Sequence, residues 1–368
     1  MNDLLEKYDS WLKDDGPAAL VIREYLMPVE GPDGVLFPAT FAASEDKTFK
    51  GGYNIDTFTD GKNICLIDSV GSQANRIEPL FARQQYAGLV PQIVIEAGTK
   101  SVNLLNAGHR AGDAIVRCSA LQQELRDAFH ELQQKGNAEP LAKIAPTSIV
   151  FGAWDSRDTQ AKLPRLIAST IRAFDVRELN RSATYVPPVD YIAEKLIEET
   201  DSASMGTEKD PNSKRGFLHA LASWKHGGVI ATGGIRRDAS LHLAALRLLA
   251  VDEGKQLQDK LPLMRYILGL ALTAFTYSPS GYLRQGCNLV LDPDKHPEFS
   301  EVHGDGHRVR ATVTHDDALD YAKAAALEFG VGKNSTVQFD KEKAKADISE
   351  ESGKSKKKKS TKTVEAEE

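Results

Sequence analysis

The chain has 368 residues, 41% hydrophobic and 27% charged, with a formal net charge of −6. That length and balance suit a globular chain with a substantial core, and the acidic total argues against binding nucleic acid through bulk positive charge. No apolar run approaches the ~20 residues of a membrane span, and the N-terminus is acidic, so a cytoplasmic location without a membrane partner is expected. Cys65, Cys118 and Cys287 stand alone, without metal-ligand spacing, which argues against a disulfide framework or a zinc site. Cys65 and Cys118 read as small buried hydrophobes.

Along the chain, residues 18–29 and 35–42 read as an early pair of strands around a Gly/Pro loop. A strand at 63–68 precedes an amphipathic helix with Ile77, Leu80 and Phe81 on its apolar face. A strand at 90–96 is followed by one long helix from Ala111 toward Gly136. Residues 148–154 read as a core strand. Residues 163–174 read as a helix, from the stripe Leu163, Ile167, Ile171 and Phe174. Residues 181–216, with a helical-looking 190–200, form the best candidate for an insertion. A strand at 229–231, a helix over 241–251 and an apolar helix over 261–275 come next. Loops are expected to dominate 278–310. Residues 341–368 hold nine lysines and seven acids with few large apolar side chains, so a disordered Lys/Glu-rich tail is expected, leaving 1–340 as one elaborated domain.

Charge is unevenly spread. Residues 1–60 carry five basic and twelve acidic side chains, whereas 157–181 carry six and three, which leaves room for a local basic face. Between the strand at 63–68 and its helix, Ser69, Ser72 and Asn75 fall at the cap and first turn. Unpaired N–H groups there, with Arg76 nearby, would make a phosphate cradle, or Ser69 or Ser72 simply caps the helix. Ser72, His109 and Asp113 have the side chains of a hydrolase but lack a nucleophile elbow. His219, His226 and Asp238 lack metal spacing. Gly227, Gly228, Gly233 and Gly234 match no nucleotide-binding loop and suit tight turns, with Arg236 and Arg237 following. No catalytic or metal-binding residue and no cofactor is expected.

Five segments recur together: Asp68 to Glu78, Gly108-His109-Arg110 with Asp113-Ala114, Pro146-Thr147-Ser148 leading into 151–157, Gly227-Gly228, and 233–237. In that order they resemble the large RAMP-superfamily backbone subunit of type I-G (formerly I-U) CRISPR effectors, over about residues 17–335. The resemblance implies an α+β fold, a modified ferredoxin-like (RRM-like) palm with finger- and thumb-like insertions, the thumb falling at 181–216 or alternatively 276–310. It implies a non-catalytic subunit of an antiviral Cascade ribonucleoprotein that assembles as a helical row of copies along CRISPR RNA. Its partners would be that RNA, target DNA through guide pairing, and other effector-complex subunits. It implicates Ser72, Gln73, Asn75, Arg76, His109, Arg110, Trp154, Arg157, Arg236 and Arg237 in RNA binding. The alternative is a RAMP-type endoribonuclease that processes or cleaves RNA. The chain lacks the aromatic signature of a base-reading RRM, which favours holding of the RNA backbone.

Overall fold

The computed structural model describes residues 2–46, 48–198, 210–221, 226–249, 257–277 and 281–349. The strands that position the site are β1 (Ala19–Pro28), β2 (Asn63–Asp68), β3 (Ile167–Phe174), β4 (Ile235–His242), β5 (Cys287–Leu291), β6 (Glu298–Val302) and β7 (Arg308–Arg310). The helices are α1 (Val70–Ile77), α2 (Gln122–Lys135), α3 (Pro146–Phe151), α4 (Leu257–Thr276) and α5 (His315–Phe329). Across the main sheet the order is β1, β4, β3, β2. β5 and β6 share the other edge of β1, and β7 extends β6. Every one of these pairings is antiparallel. The path from β1 to β3 runs through helices with β4 inserted between the two strands, and α4 leads from β4 back to the edge of β1. This is the β-α-β-β-α-β connectivity of a ferredoxin-like α+β fold, widened by β2 and β7.

The helices pack on one face of this sheet. Residues 263–275 of α4 are nearly all buried because α3, α5 and β4 surround the helix, and its sequence is accordingly apolar on every side. Gly269 lets α4 and α5 approach, since a Cβ there would lie 2.8 Å from Ala322 Cα. Two apolar clusters share the inward face of the sheet: Leu20, Ile22, Ile167, Ala239 and Leu241 join the helices, while Cys65, Ile67, Ile171, Ala173, Ile235 and Leu289 pack with Leu36, Tyr53 and Val229. Ionic groups lie between them, with Glu24 directly opposite Arg237 and Asp68 at the end of β2. All three cysteines are buried and free, and burial pushes the Cys65 thiol up to about 12 and Cys287 to about 11.

Several expected elements differ. Residues 163–174 form the short strand Lys162–Leu163 and β3, not a helix. A spacing of four residues is even, so Ile167 and Ile171 also share one face of a strand. Residues 148–154 are helical to Phe151 and extended only at Ala153–Trp154. Pro146 opens α3, and a segment buried on all sides shows no period. The long helix over 111–136 is broken: Asp113 caps Ala114–Arg117 and Ser119 caps the turn before α2. The 35–42 segment does not pair with β1; only Thr40–Phe41 is a strand, paired with Gly52–Tyr53. Residues 190–198 form turns, and residues 235–242 are strand before the helix Leu243–Arg247. The expected loops of 278–310 hold Tyr282–Arg284, β5, β6 and β7.

Residues 341–349, expected to be disordered, are helical. They dock through Arg117 Nη2 to Asp347 Oδ2 at 2.7 Å and Lys343 Nζ to the Ser119 carbonyl at 3.1 Å. The rest of the expected tail, 350–368, lies outside the described residues, as do residues 199–209 of the expected insertion. Among the described residues no helix is long and apolar enough to cross a membrane.

Candidate nucleic-acid interface

At the start of α1, Ser69 caps the helix by accepting from Ser72 N at 3.2 Å. The centre of the cluster is Asp68, whose side chain is fully buried. Ser72 Oγ donates to it at 2.8 Å, Gln73 Nε2 at 2.6 Å, Arg76 Nε at 3.1 Å and Arg284 Nη2 at 3.0 Å. Gln73 also accepts from Ser169 Oγ at 3.1 Å, tying α1 to β3. The hydroxyl and amide expected to cradle a phosphate are therefore engaged by a carboxylate of the chain itself. Arg76 differs: it is half-buried, and its terminal nitrogens have no partner among the described residues. Arg284 lies outside the recurring segments, and only its place in space identifies it as a member of this cluster.

Arg110 is not at the surface, as an RNA contact would be, but 4% exposed. Its Nε donates to Glu78 Oε2 at 2.6 Å, Nη1 to the Gly152 carbonyl at 3.2 Å and Nη2 to Asn75 Oδ1 at 3.4 Å, and its guanidinium lies 5.4 Å from the Phe151 ring centre. Burial pushes the Glu78 carboxyl up to about 7, with the adjacent Arg110 working against that shift. Arg110 thus joins the first three recurring segments, which are far apart in sequence. Its backbone is left-handed, with φ 54°, a conformation that costs an L-residue about 1–3 kcal/mol and that these bonds offset.

Beside this bracket lies an exposed rim. Gly112 approaches the Trp154 carbonyl so closely that a Cβ would sit 2.9 Å from it, which brings the His109 turn against the hairpin of Ala153–Trp154 and Lys162–Leu163. Trp154 is 57% exposed, with Lys162 Nζ 5.7 Å from its ring centre. Asp155, buried, accepts from Thr159 N at 2.9 Å and Thr159 Oγ1 at 2.8 Å, folding a turn that carries Arg157 exposed and without a partner among the described residues. His109 is exposed as well. A flat indole beside a lysine can stack a base and attract a phosphate.

The two consecutive arginines of β4 point to opposite faces of the sheet. Arg237 is 4% exposed and its Nε donates to Glu24 Oε2 at 2.5 Å, so it belongs to the inward ionic row and not to a surface site. Arg236 faces outward, over the Phe174 ring at 4.8 Å and bonded through Nε to Asp238 Oδ2 at 2.9 Å. Ser72 Oγ donates to Asp68, and Asp113 accepts from backbone N–H groups, so these residues form no nucleophile–base pair with His109. Among the described residues no group of three or more His, Cys, Asp and Glu side chains is placed to hold a metal ion.

Residues 20–178 match the family model described as CRISPR-associated protein GSU0053, a span that includes α1, the His109–Arg110 turn and the Trp154 hairpin. The match supports a CRISPR-associated family. No curated protein matches the chain.

Proposed function

We propose that this protein is a non-catalytic guide-RNA-binding subunit of a CRISPR-associated ribonucleoprotein, in which copies line up along one RNA beside other effector subunits. The observation that carries the reading is the convergence on Arg110. Three sequence segments are bracketed from inside by one buried guanidinium, and the bracket leaves His109, Trp154, Arg157 and Lys162 on one exposed rim. Arg76 adds a half-buried guanidinium on α1. Stacking and phosphate attraction of this kind tolerate any base sequence, as a subunit that leaves guide bases free to pair requires.

The test is to incubate the purified protein with a CRISPR repeat–spacer RNA, with and without divalent metal. Bound, intact RNA and equal affinity for unrelated spacers are expected. Trp154→Ala should weaken binding by about 1–3 kcal/mol, the usual worth of one base–aromatic stack. Cleavage would favour the endoribonuclease reading, and a strong preference for one spacer would refute backbone holding.

A further inference from the structure

The turn that joins β6 to β7 reads His303-Gly304-Asp305-Gly306-His307, and it sets two imidazoles side by side. Val302 lies opposite Arg308 at the end of the ladder. The pairing continues one step further, because His303 N donates to the His307 carbonyl at 2.9 Å and Gly306 N to the His303 carbonyl at 2.9 Å. His303 is therefore opposite His307. Gly306, with φ 87°, permits so short a turn, and Asp305 Oδ1 fixes it by accepting from His307 N at 2.8 Å. Residues directly opposite each other across two strands project to one side. The ring centres of His303 and His307 are accordingly 5.8 Å apart, with the rings tilted by 44° rather than stacked. Strand alternation decides what surrounds the pair. Glu301, two residues before His303, is on the same side, and its Oε2 lies 3.9 Å from His303 Nε2. Arg308 and Arg310 alternate with His307 and Val309, so the arginines of β7 project to the opposite side. The imidazoles thus stand in the field of two carboxylates, Glu301 and Asp305. His307 is exposed and His303 only half-buried, so both rings are reached from solvent.

We infer that His303 and His307 form a cross-strand chelate for a first-row divalent ion that favours imidazole, of the Zn²⁺ type. Two imidazoles on one tetrahedral zinc, with Zn–N about 2.0 Å, have ring centres about 5.2 Å apart, so the observed pair needs to close by only about 0.6 Å. Exposed side chains can make that adjustment. Two protein ligands leave coordination positions open, and water completes them. Glu301 accepts from the ring nitrogen of His303 that is not on the ion, as carboxylates do beside metal-bound histidines. The same two carboxylates disfavour an anion at this turn, and a hard ion such as Mg²⁺, which requires oxygen ligands, gains nothing from the imidazoles. The bound ion staples the tip of a hairpin whose second strand, β7, pairs with β6 alone among the described residues. Nothing in this inference depends on the reading of the chain as an RNA-binding protein.

Isothermal titration calorimetry of the untagged, full-length protein with zinc chloride tests it, without RNA and at about pH 8, where imidazole is neutral. One Zn²⁺ per chain is expected. His303→Asn/His307→Asn should lose that binding while keeping the metal-free melting temperature of the parent, and Glu301→Gln should weaken it about tenfold. Mg²⁺ should give no binding. A parent that takes up no Zn²⁺, a folded double variant that still binds one ion per chain, or equal binding of Mg²⁺ would each overturn the inference. Should the double variant not fold, carbethoxylation by diethylpyrocarbonate, read by peptide mass in the parent, decides the matter. Zn²⁺ should then protect His303 and His307 together, and equal modification of both with and without the ion would overturn the chelate.

Discussion

Replacing Arg110 by Met keeps the aliphatic stem and removes the guanidinium. Three acceptors lose their donor at once: Glu78 Oε2, the Gly152 carbonyl and Asn75 Oδ1. Glu78 is buried, so its charge can gain no water in compensation. Breaking one side of a buried ion pair costs about 3–5 kcal/mol, and the urea midpoint of Arg110→Met should fall by more than about 1 M. The deficit should also depend on pH. Folded Glu78 titrates near 7, above the unfolded value of about 4.3. Its neutral form is thus the one favoured by folding, and its contribution is full below about pH 4 and declines as pH rises through 7. Without Arg110 the carboxyl moves higher still, so ionising it at pH 8 costs more than in the parent. The variant's deficit should therefore be larger at pH 8 than at pH 5, and Glu78→Gln added to it should recover part of the pH 8 loss. Equal deficits at both pH values, or a loss below about 1 kcal/mol, would refute the description of this pair as an internal bracket.

Arg76→Ala should weaken RNA binding by about tenfold through one charged contact and should also lower the melting temperature, because Asp68 then relies on Arg284, Ser72 and Gln73 alone; an unchanged melting temperature would show that Arg76 is dispensable to the cluster. Gly269→Ala should destabilise the protein by about 1–3 kcal/mol by forcing α4 and α5 apart, as urea unfolding will read. A chain ending at Asp340 loses the contacts of Lys343 and Asp347 and should melt several degrees earlier than one ending at Ser349, which keeps them; identical melting curves would show that these contacts contribute nothing.

Sequence reasoning located what depends on neighbouring residues. The Ser69 cap, the strand before it, β1 and the apolar α4 follow from local pattern. It failed where pattern is ambiguous: α3 is buried on all sides and has no period, and β3 shows spacings of four that suit a strand as well as a helix. The two arginines of β4 show the same limit for the site. As adjacent letters they look equivalent, and only the strand assignment sends Arg236 outward and Arg237 inward. Arg110 and Gln73 were recognisable as functional types, but that Glu78, Gly152 and Ser169 engage them is a fact of tertiary packing. Conversely, the exposure of Trp154 depends on the turn that Asp155 folds, and nothing in an apolar run ending at Trp announces that turn. Arg284 stands in a strand of three residues within a stretch whose Gly, Pro, Asp and His content reads as loop, so no periodicity marks it.

The opposed arginines also make the central pairing self-checking. Arg237 finds Glu24 only while β1 and β4 hold their present alignment. A slip by a single position would turn Ile235, Ala239 and Leu241 to the outside and drive Arg236 and Asp238 among the apolar side chains of the inward face. No carboxylate of β1 other than Glu24 is available there, because β1 has no other acid. Misalignment is therefore penalised twice, by bringing Asp238 inside, so that Glu24 and Asp238 have only Arg236 between them, and by exposing the core residues on either side of Arg237. The hairpin-free meeting of two strands that are more than two hundred residues apart in sequence is in this way keyed by charge, where no connecting turn exists to set it.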